Sequence, residues 1–271
     1  MQIGRIAIIL FACAMGATVS EAQDKITIPL SNPSQPVTIK ATMMTGGIKV
    51  TVGTGRDVIV SATERGGNNN RSARDAAPPG MTRIGGRPGM NIEEDHNVVT
   101  ISAGSMGGRG DLVIETPVNS NLQLTTMSGG SIEVTGVNGE HEIENMNGSI
   151  SLSDVSGSVV AHTMNGTITA SLGHITSNKP MSFTSLNGKI DVTLPADTKA
   201  RLRLKTDNGS IFSDFDVKLE PDASKPVIED SRSQGGKYKI SVDRAITGTI
   251  NGGGPEYTFQ TMNGSILIHK K

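Results

Sequence analysis

The string HTMNGTITA, running from His162 to Ala170, returns along this chain with few changes. ENMNGSISL, TSLNGKIDV and QTMNGSILI are close copies, and TMSGGSIEV and KTDNGSIFS are weaker ones. The shared glycine falls at Gly130, Gly148, Gly166, Gly188, Gly209 and Gly264, preceded from the second copy on by Asn147, Asn165, Asn187, Asn208 and Asn263. The first five are spaced by roughly 20 residues, the period of solenoid and propeller repeats, and a longer interval separates the last. A unit this short cannot bury a face alone. It must stack on copies of itself, so the repeat constrains the fold before any single residue is considered.

Each unit carries two strand patterns. After the glycine, Ile132 and Val134, Ile150 and Leu152, Ile168 and Ala170, and Ile190 and Val192 alternate with polar residues. Before it, one inward column reads Ile143, Ala161, Phe183, Leu204 and Phe259. A second reads His141, Val159, Met181, Leu202 and Tyr257. Period two throughout means half-buried strands, not helices. Asn and Gly tolerate positive φ, so Asn-Gly marks a tight corner between strands. Two architectures follow: an antiparallel meander, with each Asn-Gly a hairpin, or a solenoid, with each Asn-Gly a corner of one coil. Near-identical corners favour the solenoid, because stacking places like residues over like at about 4.8 Å. The named Asn and Gly residues are therefore read as structural corners before they are read as a site.

The rest of the chain fits around this ladder. Segments 25–28, 37–43, 48–52 and 58–62 read as short strands, and MMTGGIKV is a degenerate early copy of the repeat. Segment 64–91 is aperiodic and rich in Gly, Asn, Arg and Pro, which predicts a mobile loop. Strand patterns resume at 98–102, 111–115 and 122–126; later, 238–242 reads as a strand and 221–234 as a loop. The organisation expected is a leader at 1–22, N-terminal strands at 23–63, the loop at 64–91 and the repeat solenoid at 92–271.

Aromatic residues make up 3 % of the chain, tryptophan is absent and glycines number 33. Aromatic side chains bury the most area per residue, so their scarcity suits a narrow, repetitive core. A net charge of −1 gives no electrostatic attraction to nucleic acid or an anionic membrane. At the start, Arg5 precedes an apolar run over 6–19, and Ser20-Glu21-Ala22 offers a cleavage site, as in a secretory signal peptide. The run is short for a membrane span, which argues against an uncleaved anchor. Phe11 and the apolar residues after Cys13 argue against a lipoprotein box at 10–13. Cleavage after Ala22 would remove the single cysteine, leaving an exported chain without disulfide, thiolate or cysteine metal site.

DLVIETPVNSNLQLTTMSGGSIEV, IDVTLPADTKARLRLKTDNGSIFSDF and GGGPEYTFQTMNGSILI together resemble the bacterial β-strand-repeat proteins grouped under the name "putative adhesin", a domain of unknown function. Pro117 and Pro195 match that family's prolines, and the six corner glycines match its Gly-x-Ile step. The resemblance covers 111–271, and more loosely the strands from Lys25 onward. It implies an all-β, exported, right-handed β-solenoid, here with coils of about 18–22 residues. It implies no catalytic residue, cofactor or metal.

The residues offer little chemistry of their own. His96, His141, His162, His174 and His269 show no metalloprotease spacing. If coils stack, Glu144 and His162 share a ladder position facing solvent, either as a metal or acid–base pair or as a surface charge pair worth under ~1 kcal/mol. His141 falls inward and reads as a half-buried, satisfied histidine. Glu93-Glu94-Asp95 offers carboxylates for a hard cation, but consecutive strand residues point to opposite faces, so a solvated turn is the better reading. Glu133, Glu140, Glu142 and Glu144 cluster near one end of the ladder and Arg201, Arg203 and Lys205 further along, a polarity able to orient a partner. Arg65, Arg71, Arg74, Arg83 and Arg87, scattered among glycines, could form a basic nucleic-acid arm, but export argues against it; a weakly basic loop touching an anionic envelope surface, or no role at all, is the better reading. No nucleophile elbow or phosphate loop occurs, and no tryptophan is present to stack on a sugar.

The expectation is an exported, non-catalytic solenoid acting by surface contact or adhesion at the cell envelope, periplasmic or cell-surface. No cofactor, nucleic acid or transmembrane span after cleavage is expected; the partner is an unidentified envelope or cell-surface molecule, with self-association open to it. A structural or regulatory envelope protein is the second reading, and a polysaccharide-active β-helix enzyme the third.

Overall fold

The computed structural model describes residues 25–64, 90–105, 110–176, 178–220, 227–230, 238–241 and 245–271. The expected leader and nearly all of the expected mobile loop lie outside these residues. Every element among those described is a strand, and 18 strands form a single sheet. The repeat strands pair in parallel, with equivalent residues in register. Ile132 faces Ile150, Ile150 faces Ile168, and Ile168 faces Ile190. The repeat is thus a ladder of stacked coils, not a chain of hairpins.

Several elements are longer than the sequence suggested. Val37–Val52, Ser120–Thr135 and Ile150–Asn165 are continuous 16-residue strands; the first two run through the Gly46-Gly47 and Gly129-Gly130 corners, and the third spans from one Asn-Gly corner to the next. Each contributes to two ladders, one built from segments preceding the Asn-Gly corner and one from segments following it. Inward side chains of both ladders form a single apolar core, in which Ile48, Ile132, Ile150, Ile168, Ile190 and Ile266 are at most 1 % exposed. Each buried isoleucine contributes roughly 2 kcal/mol by leaving water.

The rungs do not stack in chain order. Asn147 pairs with Asn165 and Asn165 with Asn187, as consecutive coils should. Asn187, however, faces Asn263, and Asn263 faces Asn208. The last coil, Glu256–Asn263 and Ile266–Lys270, is inserted between the coils of Asn187 and Asn208. Phe183 and Phe259, 5.2 Å apart between ring centroids and 13° from coplanar, stack across one side of this insertion. Near the start, Val37–Val52 lies beside Ser120–Thr135, with Gly46 opposite Gly129, so MMTGGIKV forms a rung of the same ladder.

Antiparallel strands close both ends. Met90–Asp95 lies on Val98–Ser105 at one end, and Ile26–Ile28 lies on Val58–Glu64, itself antiparallel to Gly110–Thr116. At the other end Ile246–Ile250 covers Ala200–Asn208 and pairs with Lys218–Leu219. Covering the end rungs withholds their free backbone groups from edge-to-edge association. The segment read as a loop over 221–234 includes a strand, Val227–Asp230, paired with Tyr238–Ser241 in a separate two-stranded sheet.

Candidate functional surface

The corner residues have a different physical basis from the one the sequence suggested. Gly148, Gly166, Gly188 and Gly209 are absent from the residues with positive φ, and Gly264 at 159° is extended backbone. What demands glycine is the neighbouring rung. A Cβ on Gly166 would lie 2.1 Å from the carbonyl oxygen of Gly148, and one on Gly188 would lie 1.9 Å from that of Gly166. Gly209 meets Gly264, and Gly264 meets Gly188, in the same way. Corner glycines stack so closely that no side chain fits between them.

The corner asparagines form a hydrogen-bonded column outside the core. Nδ2 of Asn165 donates to Oδ1 of Asn147 at 2.9 Å, and Asn187 donates to Asn165 at 2.8 Å. Asn263 donates to Asn187 at 2.7 Å and Asn208 to Asn263 at 2.8 Å. Asn147 ends the column by donating to the Met127 carbonyl at 3.2 Å.

A second polar column, inside the core, was missed by the sequence reading. The residue three before each corner glycine from Gly148 onward points inward, yet it is Asn145, Thr163, Ser185, Thr206 or Thr261. Thr163 Oγ1 donates to the Gly148 carbonyl and Ser185 Oγ to that of Gly166, each at 3.0 Å. Thr261 serves Gly188 at 3.0 Å and Thr206 serves Gly264 at 2.8 Å. These hydroxyls satisfy carbonyls that a buried corner otherwise strands. Asn145 substitutes imperfectly: its Nδ2 donates to the Gly130 carbonyl at 3.0 Å, but its buried Oδ1 has no partner. Period two continued by one step, with a polar residue at an inward position, was the available signal.

The candidate chemical groups are placed as follows. His141 is 3 % exposed, with Nε2 3.2 Å from the Ser156 carbonyl and Nδ1 lacking a partner, so it is more buried and less satisfied than expected. Burial holds its pKa below the ordinary histidine value. Glu144 and His162 are cross-rung neighbours and both are exposed. Glu94 accepts from the Ser31 and Asn97 backbone N–H groups and from the Ser31 hydroxyl, and these hold its carboxyl below the usual carboxylate range. Its carboxylate is thereby committed within the fold. Among the described residues no group of three or more His, Cys, Asp or Glu converges to hold a metal ion.

The anticipated polarity of charge is locally offset. Lys179 pairs with Glu140, Lys49 with Glu133 at 3.8 Å, and Arg201 with Glu220 at 2.8 Å. His269 lies between Asp191 at 3.4 Å and Asp214 at 3.0 Å on the rungs flanking its own. Elsewhere the outer wall shows runs of hydroxyl groups beside an exposed methionine column. Thr51 faces Thr135, which faces Ser153, and Ser151 faces Thr169, which faces Asp191.

These features define an all-β protein of stacked coils, with polar columns inside and out and capped ends. Residues 90–251 match the family described as Toastrack DUF4097, and the chain belongs to that family. No curated protein matches the chain. It is similar to a solved structure described as a "putative cell adhesion protein" from Clostridium sporogenes, at 11 % identity and a TM-score of 0.49, covering 92 % of this chain and 100 % of that one. It is also similar to a "putative adhesin" from Bacteroides fragilis, at 12 % identity and a TM-score of 0.36, covering 93 % of this chain and 98 % of that one.

Proposed function

We propose that this chain is an exported, non-catalytic protein of the cell envelope that acts by surface contact. The observation carrying this reading is the assignment of polar groups. One inward column is spent on corner carbonyls, one outward column is a hydrogen-bonded run of corner asparagines, and outward positions such as Thr51, Thr135 and Ser153 present hydroxyls on successive rungs. Such a wall suits a flat or repetitive partner on another surface. Export rests on the leader pattern at 1–22. No helix among the described residues is long and apolar enough to cross a membrane. A right-handed winding belongs to the same proposal, supported by the rule that parallel crossovers are right-handed in about 98 % of cases.

The test is binding of the exported chain to a glycan array and to whole cells, alongside pull-down from envelope extracts. Surface contact predicts binding that Ser151→Lys with Thr169→Lys weakens while the fold persists. Retrieval of envelope machinery without glycan or cell binding points to the structural or regulatory reading. Turnover in a polysaccharide lyase or hydrolase screen, with or without calcium, overturns both.

A further inference from the structure

One outward column breaks the polar pattern. The residue immediately before the corner asparagines Asn147, Asn165, Asn187 and Asn263, with its counterparts on the two earlier rungs, reads Met44, Met127, Met146, Met164, Leu186 and Met262 in stacking order, and the column ends on Asp207 beside Asn208. All six are solvent-exposed, from 38 % at Leu186 to 57 % at Met44. Five intervals of about 4.8 Å make this a stripe roughly 24 Å long. Strand positions ordinarily favour β-branched and aromatic residues, Thr where exposed and the branched aliphatic side chains that fill the inward columns where buried. Methionine differs from both in one chemical respect: its thioether is a soft donor on a flexible stem.

At one place the stripe meets an imidazole. Glu144 faces His162 across one pair of rungs; two residues on, along the same outward face, Met146 falls opposite Met164. These four side chains stand at the corners of a patch about 4.8 Å by roughly 7 Å. Two sulfurs bound to one ion through bonds of about 2.3 Å lie about 4 Å apart in a trigonal arrangement, under an ångström less than the strand spacing. Methionine's three rotatable bonds close that difference. Imidazole nitrogen supplies the third donor, and Glu144, the cross-rung partner of His162, brings a negative charge to the same patch.

We propose that Met146, Met164 and His162 form a binding site for a soft monovalent cation, Cu(I) or Ag(I), within the methionine stripe. Thioether and imidazole donors without a thiolate suit these ions in preference to Mg, Ca or Mn, which take oxygen donors. Binding is ligand exchange with water and involves no electron transfer.

The experiment uses the full chain carrying Cys13→Ser, so that no thiol competes. Cu(I) is titrated anaerobically against a chromogenic chelator, and Ag(I) by calorimetry, while methionine methyl signals are followed by NMR. The expected result is one ion held at this patch, with Met146 and Met164 methyl shifts. Met146→Leu with Met164→Leu, and separately His162→Gln, should weaken affinity by about tenfold or more, equivalent to 1.4 kcal/mol. Leu186 already occupies this column, so leucine variants keep the fold, which circular dichroism checks. Met44→Leu, at the far end of the stripe, should leave affinity unchanged. Failure to bind either ion, or equal affinity in wild type and both patch variants, or equal loss with Met44→Leu, overturns the site.

Discussion

Asn187 and Asn263 are 76 residues apart in the chain, yet the side-chain amide of Asn263 donates to that of Asn187 at 2.7 Å. Asn208, only 21 positions after Asn187 by their numbers in the chain, is reached through Asn263, which it faces from the other side. The final coil is therefore an internal rung of the ladder.

Removing residues 256–271 should accordingly do more than shorten an end. Asn187 and Asn208 would be left flanking a gap of two strand spacings, about 9.6 Å. Hydrogen exchange at Arg203 and Lys205, whose backbone N–H groups point toward the removed coil as that of Arg201 does to the Pro255 carbonyl, should accelerate by at least about tenfold, reflecting local opening. Unchanged protection there would contradict the insertion.

Gly166→Ala should destabilise the fold by about 3 kcal/mol or more, because the new methyl overlaps the Gly148 carbonyl and both backbones are held by their rungs. Gly55→Ala, where the nearest atom is 3.8 Å away, should stay within about 0.5 kcal/mol of wild type. Urea denaturation measures both.

Asn145→Thr should raise stability by about 1 kcal/mol. The substitution removes a buried amide oxygen without a partner and installs the hydroxyl that Thr163 uses on the next rung. Thr163→Val should cost about 1–2 kcal/mol by stranding the Gly148 carbonyl. Paired thermal melts decide the signs.

His141 predicts a pH dependence. Burial lowers its folded pKa below 6.5, so the unfolded chain binds more protons as pH falls through that value. Its contribution is fully present above about pH 6.5 and declines below it, by on the order of 1 kcal/mol for each pH unit until the folded pKa is reached. The difference in urea midpoint between wild type and His141→Leu should therefore shift in favour of the variant between pH 7.5 and pH 5. A constant difference would show that His141 does not titrate differently on unfolding.

Much of the fold is legible in the sequence because its information is local. Period two assigns Ile150 and Leu152 to the core, and the repeated corner calls for stacking, whatever surrounds any one coil. The candidate site was less legible. Glu144 beside His162 followed from the repeat spacing, but Met146 beside Met164 looked like part of the corner until their common exposure was seen.

What the sequence determined alone is the coil: two strands, an Asn-Gly corner and a narrow aliphatic core. Tertiary structure decided the order of the coils, the reason for glycine and the partners of the buried polar groups. The physical cause is the repetition itself. Every rung offers the same backbone bonds and the same columns, so each coil fits beside several others, and nothing local to 256–271 specifies which. Only contacts between distant segments, such as Phe183 on Phe259 and Asn187 with Asn263, distinguish one arrangement from the rest.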